Sequence, residues 1–198
     1  MSNRLFIILI IFFQFLFVNK IFSKEIQFDA NQIEVLDGGN ETIAKNGTVF
    51  IQKDKISATG KVIRYIKNRS LLIVNDGKIK KIDDNLEINS KVIQYNIDQS
   101  NLYLKNNVQI NDNANNLKII TDEINYNLDK QQIESSSNSK IEDNLGNIYR
   151  VSQFEYNLED RVIKLSNLEA LDINKNQFKI ELAFLDLEKK ELVAKDVG

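Results

Sequence analysis

An all-β fold of stacked two-strand repeats, open at both sheet edges, is predicted by three observations. Beyond residue 24, short alternating runs of Ile, Val, Leu, Tyr and Phe recur between Asn, Asp and Gly clusters, with no long helical pattern. An apolar-x-Tyr pair returns at a nearly constant interval, and a second element, Asn46-Gly47, Asp76-Gly77 or Asn106-Asn107, recurs at about the same interval between the strands. The chain of 198 residues suits one domain or a short repeat array, and its 42% hydrophobic content is enough to bury a continuous core.

Residues 1–23 read as an export signal. Met1-Ser2-Asn3-Arg4 gives a basic start, Leu5 to Val18 an apolar run broken only by Gln14, and Asn19-Lys20-Ile21-Phe22-Ser23 a polar end. The apolar run is about 14 residues, short of the roughly 20 a spanning helix needs, so cleavage is expected over anchoring, with a site after the small Ser23. Losing Arg4 and Lys20 from a chain of formal net charge -2 leaves a mildly acidic mature protein, residues 24–198.

The first strand is expected at Ile26-Gln27-Phe28-Asp29-Ala30 and a late one from Phe178 to Phe184, each with one apolar face. Between them the pairs Ile63/Tyr65, Ile93/Tyr95, Ile124/Tyr126 and Phe154/Tyr156 place their tyrosines 30, 31 and 30 residues apart. Extending the period reaches Ile33/Val35 upstream and Phe184/Asp186 downstream, which makes six registers. A second element alternates with these: Asn46-Gly47-Thr48-Val49, Asp76-Gly77-Lys78-Ile79 and Asn106-Asn107-Val108. Each repeat is therefore two strands, and these dipeptides supply the positive φ that turns or bulges require.

Parity adds a detail. Leu86, Ile88 and Ser90 share one parity, as do Leu117, Ile119 and Thr121, while Ile93 and Tyr95 fall on the other. A period-two strand holds both sets on one face only through a one-residue slip, so a bulge or bend is predicted near Ser90 to Val92 and its equivalents. Such bends curl a stacked sheet into a trough. A linear stack also leaves unpaired edges, here at Ile26 and Phe28 and at Phe178, Ile180 and Leu182, which invite a strand from another chain. Lys24, Glu25 and Glu188 to Glu191 are the charges that would instead blunt them.

With these residues in view, the chain resembles the organic-solvent-tolerance-like (OstA/LptA-type) module of the lipopolysaccharide transport proteins LptA, LptC and the periplasmic N-terminal part of LptD. The resemblance rests on the exported start, the thirty-residue strand-pair repeat, the segment Thr121-Asp122-Glu123-Ile124-Asn125-Tyr126 and the turn Gly47-Thr48-Val49. It is nearest to the N-terminal part of LptD, since regular repeats give way to a less regular stretch from Ile148 to Val197. On that reading the chain is truncated before a C-terminal outer-membrane barrel; otherwise it is a free-standing LptA-like bridge. LptC, which would keep its first helix as an anchor, fits less well.

The resemblance implies a V-shaped, antiparallel, β-jelly-roll-like slab in the periplasm, associated with the outer membrane if part of LptD. Its apolar interior would hold lipid A acyl chains, and modules would join edge to edge, with lipopolysaccharide and LptA, LptC or LptD/LptE as partners. The interior candidates are Phe28, Ile33, Ile63, Tyr65, Ile93, Tyr95, Ile124, Tyr126, Phe154 and Tyr156, which ordinary core packing would equally explain. An acidic chain does not attract anionic sugar phosphates, so acyl-chain burial, at about 0.8 kcal/mol per methylene, would carry affinity.

The absence of Cys and His removes disulfides, thiol nucleophiles, Ser/His relays and most zinc sites. No catalytic residues, metal or cofactor are expected. No basic stretch interleaved with aromatics offers a track for nucleic acid. Asp83-Asp84, Asp112 and Asp143 sit among Asn and Gly without calcium-loop spacing and read as solvated turns. Ser135 to Ser139 reads as a mobile adhesive loop or, as well, a long hairpin loop of a repeat protein. A structural or adhesive extracellular β-solenoid without a lipid ligand is the alternative of a different class.

Overall fold

The computed structural model describes residues 26–195. The expected signal segment, Lys24, Glu25 and residues 196–198 lie outside them. Fourteen strands form one antiparallel sheet: β1 (Ile26–Leu36), β2 (Glu41–Ile51), β3 (Ile56–Ile66), β4 (Leu71–Lys81), β5 (Leu86–Asn96), β6 (Asn101–Asp112), β7 (Leu117–Asn127), β8 (Gln132–Ser135), β9 (Ser139–Glu142), β10 (Ile148–Val151), β11 (Gln153–Asn157), β12 (Val162–Leu171), β13 (Gln177–Asp186) and β14 (Glu191–Ala194). From β1 to β7 each strand pairs with the next in sequence. β8 and β9 are two halves of one strand position and β10 and β11 of the next, so the meander continues through them to β12, β13 and β14.

The sheet is creased along its middle. Asn31, Asn46, Lys61, Asp76 and Lys91, fifteen residues apart, each drop out of the pairing register. The line continues through the shifts at Asn89/Val92 and Lys105/Val108, the break between β8 and β9, Ser152, and Asn167. At this line Asn46, Asp76, Asn106, Asn107 and Asn167 take positive φ, a conformation Asn and Asp tolerate better than other residues with a Cβ. The slip reverses which parity faces inward, so Leu86, Ile88 and Ser90 on one side and Ile93 and Tyr95 on the other are all buried. The bend predicted from parity is present in every long strand position up to β7.

Asn46-Gly47 and Asp76-Gly77 are therefore mid-strand bends. The hairpin loops lie elsewhere, at 52–55, 82–85, 97–100 and 113–116, where Lys55, Asn85, Ser100 and Asn116 carry the positive φ. Positive φ in the dipeptides belongs to Asn46 and Asp76; the glycines serve close approach. A Cβ on Gly77 would lie 2.5 Å from Val74 Cγ1 and 2.9 Å from the Thr59 carbonyl, and one on Gly60 would lie 2.3 Å from the same Val74 methyl. The inner side of the crease takes small residues, Gly60, Ser90 and Thr121, because the two halves of each strand close on them. Ser90 Oγ donates to the Lys105 carbonyl (2.7 Å), replacing a ladder bond that the slip removes.

Ser135 to Ser139, expected as a loop, is where the crease cuts one strand position into β8 and β9. The hydroxyls at its two ends are buried with Thr121: Thr121 Oγ1 and Ser135 Oγ lie 3.0 Å apart, and Ser139 Oγ donates to Thr121 Oγ1 at 2.9 Å. The sixth register is also displaced. Tyr156 pairs with Ile163 and Ile163 with Leu185, while Phe154 pairs with Leu165 and Leu165 with Ala183. Ala183 and Leu185, not Phe184 and Asp186, continue the interior, because the last period is 29 residues long.

Candidate functional site: an apolar interior with a latched mouth

Two cross-strand ladders line the inner faces of the creased sheet. One runs Val35, Thr42, Tyr65, Leu72, Tyr95, Leu102, Tyr126, Ile133, Tyr156, Ile163, Leu185, each directly opposite the next. The other runs Phe28, Val49, Ala58, Ile79, Ile88, Ile110, Ile119, Ile141, Tyr149, Ala170, Phe178 on the far half. The recurring aromatic and branched residues suit the pleat, and alternate residues on the same strands face solvent.

Of the ten interior candidates, Ile63, Ile93, Tyr95, Ile124, Tyr126, Phe154 and Tyr156 are buried in a single packed cluster. Phe28 and Tyr65 are half-buried, their ring centroids 6.5 Å apart. Ile33 is 47% exposed and its neighbour Val35 62%. Both occupy interior positions by register, Ile33 opposite the buried Ala44, but they lie at the end of the stack where no further layer covers them.

The two margins of the sheet meet opposite the crease, and tyrosines hold them together. Tyr95 on β5 donates its hydroxyl to Asp54 in the loop between β2 and β3. Tyr126 on β7 donates to Asp84 Oδ2 in the loop between β4 and β5 at 3.3 Å. Tyr156 on β11 donates to Asp112 Oδ2 at 2.5 Å, and Asn115 Nδ2 donates to the same tyrosine oxygen at 3.0 Å. Lys53 reinforces the first bond, donating to Ser100 Oγ at 2.9 Å and the Ile97 carbonyl at 3.3 Å. Burial first, then the neighbouring carboxylates, holds the hydroxyls of Tyr95, Tyr126 and Tyr156 protonated far above the usual phenol range. Tyr65, the next in the series, has no hydrogen-bond partner among the described residues, and burial alone raises its pKa.

The carboxylates read from sequence as solvated turns are thus mostly structural. Asp112 is 2% exposed and also accepts the backbone N–H groups of Ala114 and Asn115, both at 3.0 Å. Asp143 caps its own turn and accepts the Tyr149 hydroxyl at 2.9 Å. One signal for the three mouth bonds is readable in the sequence: an acid stands 41, 42 and 44 residues before Tyr95, Tyr126 and Tyr156.

The edge candidates fall at both ends of the sheet. Ile26 and Phe28 lie on β1, a terminal strand. β13 carries β14 only over 183–186, and Lys195 donates its N–H to the Leu182 carbonyl. Phe178 and Ile180 lie on the half of β13 that β14 leaves unpaired. Phe28 and Phe178 are the two terminal members of one ladder, and Phe178 is 49% exposed. Among the described residues no cluster of three or more Asp or Glu is placed to hold a metal, and no helix is long and apolar enough to cross a membrane. Open grooves of about 660 and 680 Å³ run along the outside of the crease, lined largely by Asn, Asp, Lys, Ser and Thr.

Fold and site together define a creased single-sheet β slab whose concentrated features are an apolar interior running from edge to edge and a hydrogen-bonded mouth. The model of the family described as lipopolysaccharide-assembly, LptC-related, matches residues 60–168, more than half of the chain, and the protein belongs to that family. It is thus a module of lipopolysaccharide transport. A search of curated proteins finds no match. Among solved structures the chain is similar to LptH of Pseudomonas aeruginosa, the LptA-homologous periplasmic component of the lipopolysaccharide transport device, at 12% identity over 72% of this chain and 82% of that one, with a TM-score of 0.28. The matched family is named for LptC and not for LptD, whose N-terminal part the sequence features resemble most.

Proposed function

We propose that this protein works in the periplasm, exported by residues 1–23, where it holds lipid A acyl chains between the inner faces of the slab and passes them to neighbouring Lpt modules joined at its sheet edges. The observation that carries this reading is the continuity of the interior ladders, whose terminal members Phe28 and Phe178 stay partly uncovered at unpaired edges. A strand added at β1 or against 177–181 of β13 would satisfy edge N–H and C=O groups and extend the apolar path without a polar gap. Membership of the lipopolysaccharide-assembly family supports the cargo. The family is one of transport components, and the proposal assigns no reaction to the chain.

The test is site-specific photo-crosslinking in cells. A benzophenone side chain in place of Phe28, a position already aromatic and half-buried, should capture lipopolysaccharide; in place of Gln27 it should capture a partner Lpt protein. Absence of lipopolysaccharide adducts at Phe28, Tyr65, Ile33 and Phe154 alike would sink the transport reading. That result would favour a closed β-solenoid without a ligand, a reading to which the tight burial of Tyr95, Tyr126 and Tyr156 lends support.

A further inference from the structure

The interior is packed from β2 onward and thins only at the ends of the stack, at β1, where Ile33 and Val35 are exposed, and at Phe178 on β13. Tyr95, Tyr126 and Tyr156 tie the two margins from β5 onward, and the core behind those ties is packed to near-zero exposure. Near β1 the corresponding tyrosine, Tyr65 on β3, has no carboxylate partner among the described residues, Ile33 and Val35 stand open, and Phe28 and Tyr65 are half-buried. Closed as it stands, the latched part has no room for an acyl chain among residues already in contact.

We propose that the Tyr95–Asp54 bond, with Lys53 on Ser100 and the Ile97 carbonyl, is the gate of the trough. Acyl chains seat first against Phe28, Ile33, Val35 and Tyr65 at the unlatched end, and chains enter the deeper interior only as the tyrosine–aspartate ties part in order from Tyr95 toward Tyr156. This rests on the transport reading and adds to it the entry end and the residues that control depth. The chemistry suits a gate. A phenol–carboxylate bond is strong enough to hold the margins but exchanges for water at an opened mouth, which an apolar seam cannot do without exposing surface. Asp54 sits in a hairpin loop whose ties across the mouth are side-chain bonds from Asp54 and Lys53, whereas Asp112 is fixed by three further donors from its own turn.

Because the chain has no cysteine, labels can be placed at will. Spin labels at Gln52→Cys and Gln99→Cys, exposed positions on the two margins flanking the gate, should report one short distance in the otherwise unchanged protein and a longer population on adding purified lipopolysaccharide. Tyr95→Phe keeps the ring and removes the tie. Lys53→Met acts on the same margin from the surface and serves should the first variant fold poorly. Either should populate the longer distance without lipid and speed benzophenone capture of lipopolysaccharide at the Phe154 position by about 10-fold, with little change at Phe28. Capture at Phe154 that is as fast as at Phe28 in the unaltered latch, with label distances indifferent to both variants, overturns the gate and leaves transport standing. Label distances that widen in the variants with no capture at any position overturn transport, and the gating role with it.

Discussion

Removing the hydroxyl of Tyr156 isolates one rung of the latch. Tyr156→Phe keeps the ring against Ile133 and Ile163 and deletes the 2.5 Å bond to Asp112 together with the 3.0 Å acceptor of Asn115. Asp112 is 2% exposed and retains Asn115 Nδ2 at 2.8 Å and two backbone N–H groups. A hydrogen bond to a charged group contributes about 1.5–3 kcal/mol, and three remaining donors soften the loss, so a destabilisation of about 2 kcal/mol is expected. For a chain of this size that is a fall of about 4–8 °C in Tm. Urea unfolding followed by circular dichroism should show a lower midpoint at unchanged m, since the same surface is exposed. Tyr65→Phe, whose hydroxyl has no partner among the described residues, should move stability by less than about 0.5 kcal/mol. If both variants cost the same, or if Tyr156→Phe is neutral, the tyrosines act through their rings alone and the latch carries no load.

Three further outcomes follow from the same structure. Gly60→Ala should cost about 1–3 kcal/mol because its Cβ meets Val74 Cγ1 at 2.3 Å, and the double variant Gly60→Ala/Val74→Ala should cost less than the two changes summed, measured by a double-mutant cycle in urea. Asp76→Val, a branched side chain at φ +47°, should lose about 1–2 kcal/mol, whereas Asp76→Gly should be near neutral because the Lys61–Asp76 pair it removes is solvent-exposed. The phenols of Tyr95, Tyr126, Tyr149 and Tyr156 are all raised by burial and their carboxylate partners, so the folded state keeps protons that the unfolded chain loses above about pH 10. Stability should be fully present below that pH and fall above it by up to about 1.4 kcal/mol per pH unit for each tyrosine, and replacing one of them by Phe should flatten the slope of Tm against pH.

The period, the strand pairs and the bend were readable because they depend on alternation and spacing alone. Leu86, Ile88 and Ser90 against Ile93 and Tyr95 forced a slip, and the slip is there. What alternation cannot say is whether Asn-Gly turns the chain back or only bends it. Both need one positive φ, and only the partner strand, Gly47 opposite Gly60 and Gly60 opposite Gly77, settles it. Ser135 to Ser139 misled for the same reason: a serine run looks solvated until Thr121 is seen to close on it. The tyrosine ties were the hardest to read. Each joins residues more than forty apart across a mouth that exists only after the sheet has folded on its crease, so Asp84 and Asp112 read as ordinary turn residues and nothing local marks Asp54.

The meander makes the slab a ruler. Sheet neighbours lie about 4.8 Å apart, so the run from β1 to β14 spans roughly 50 Å, and every thirty-residue pair of strands lengthens it by about 10 Å. Since strands bond mainly to those beside them in sequence, duplicating one unit, for example residues 86–115, would need no new long-range pairing. Reach in this architecture is a quantity the gene can set in fixed increments, by adding or losing repeats, without redesigning an interior that is the same at every step.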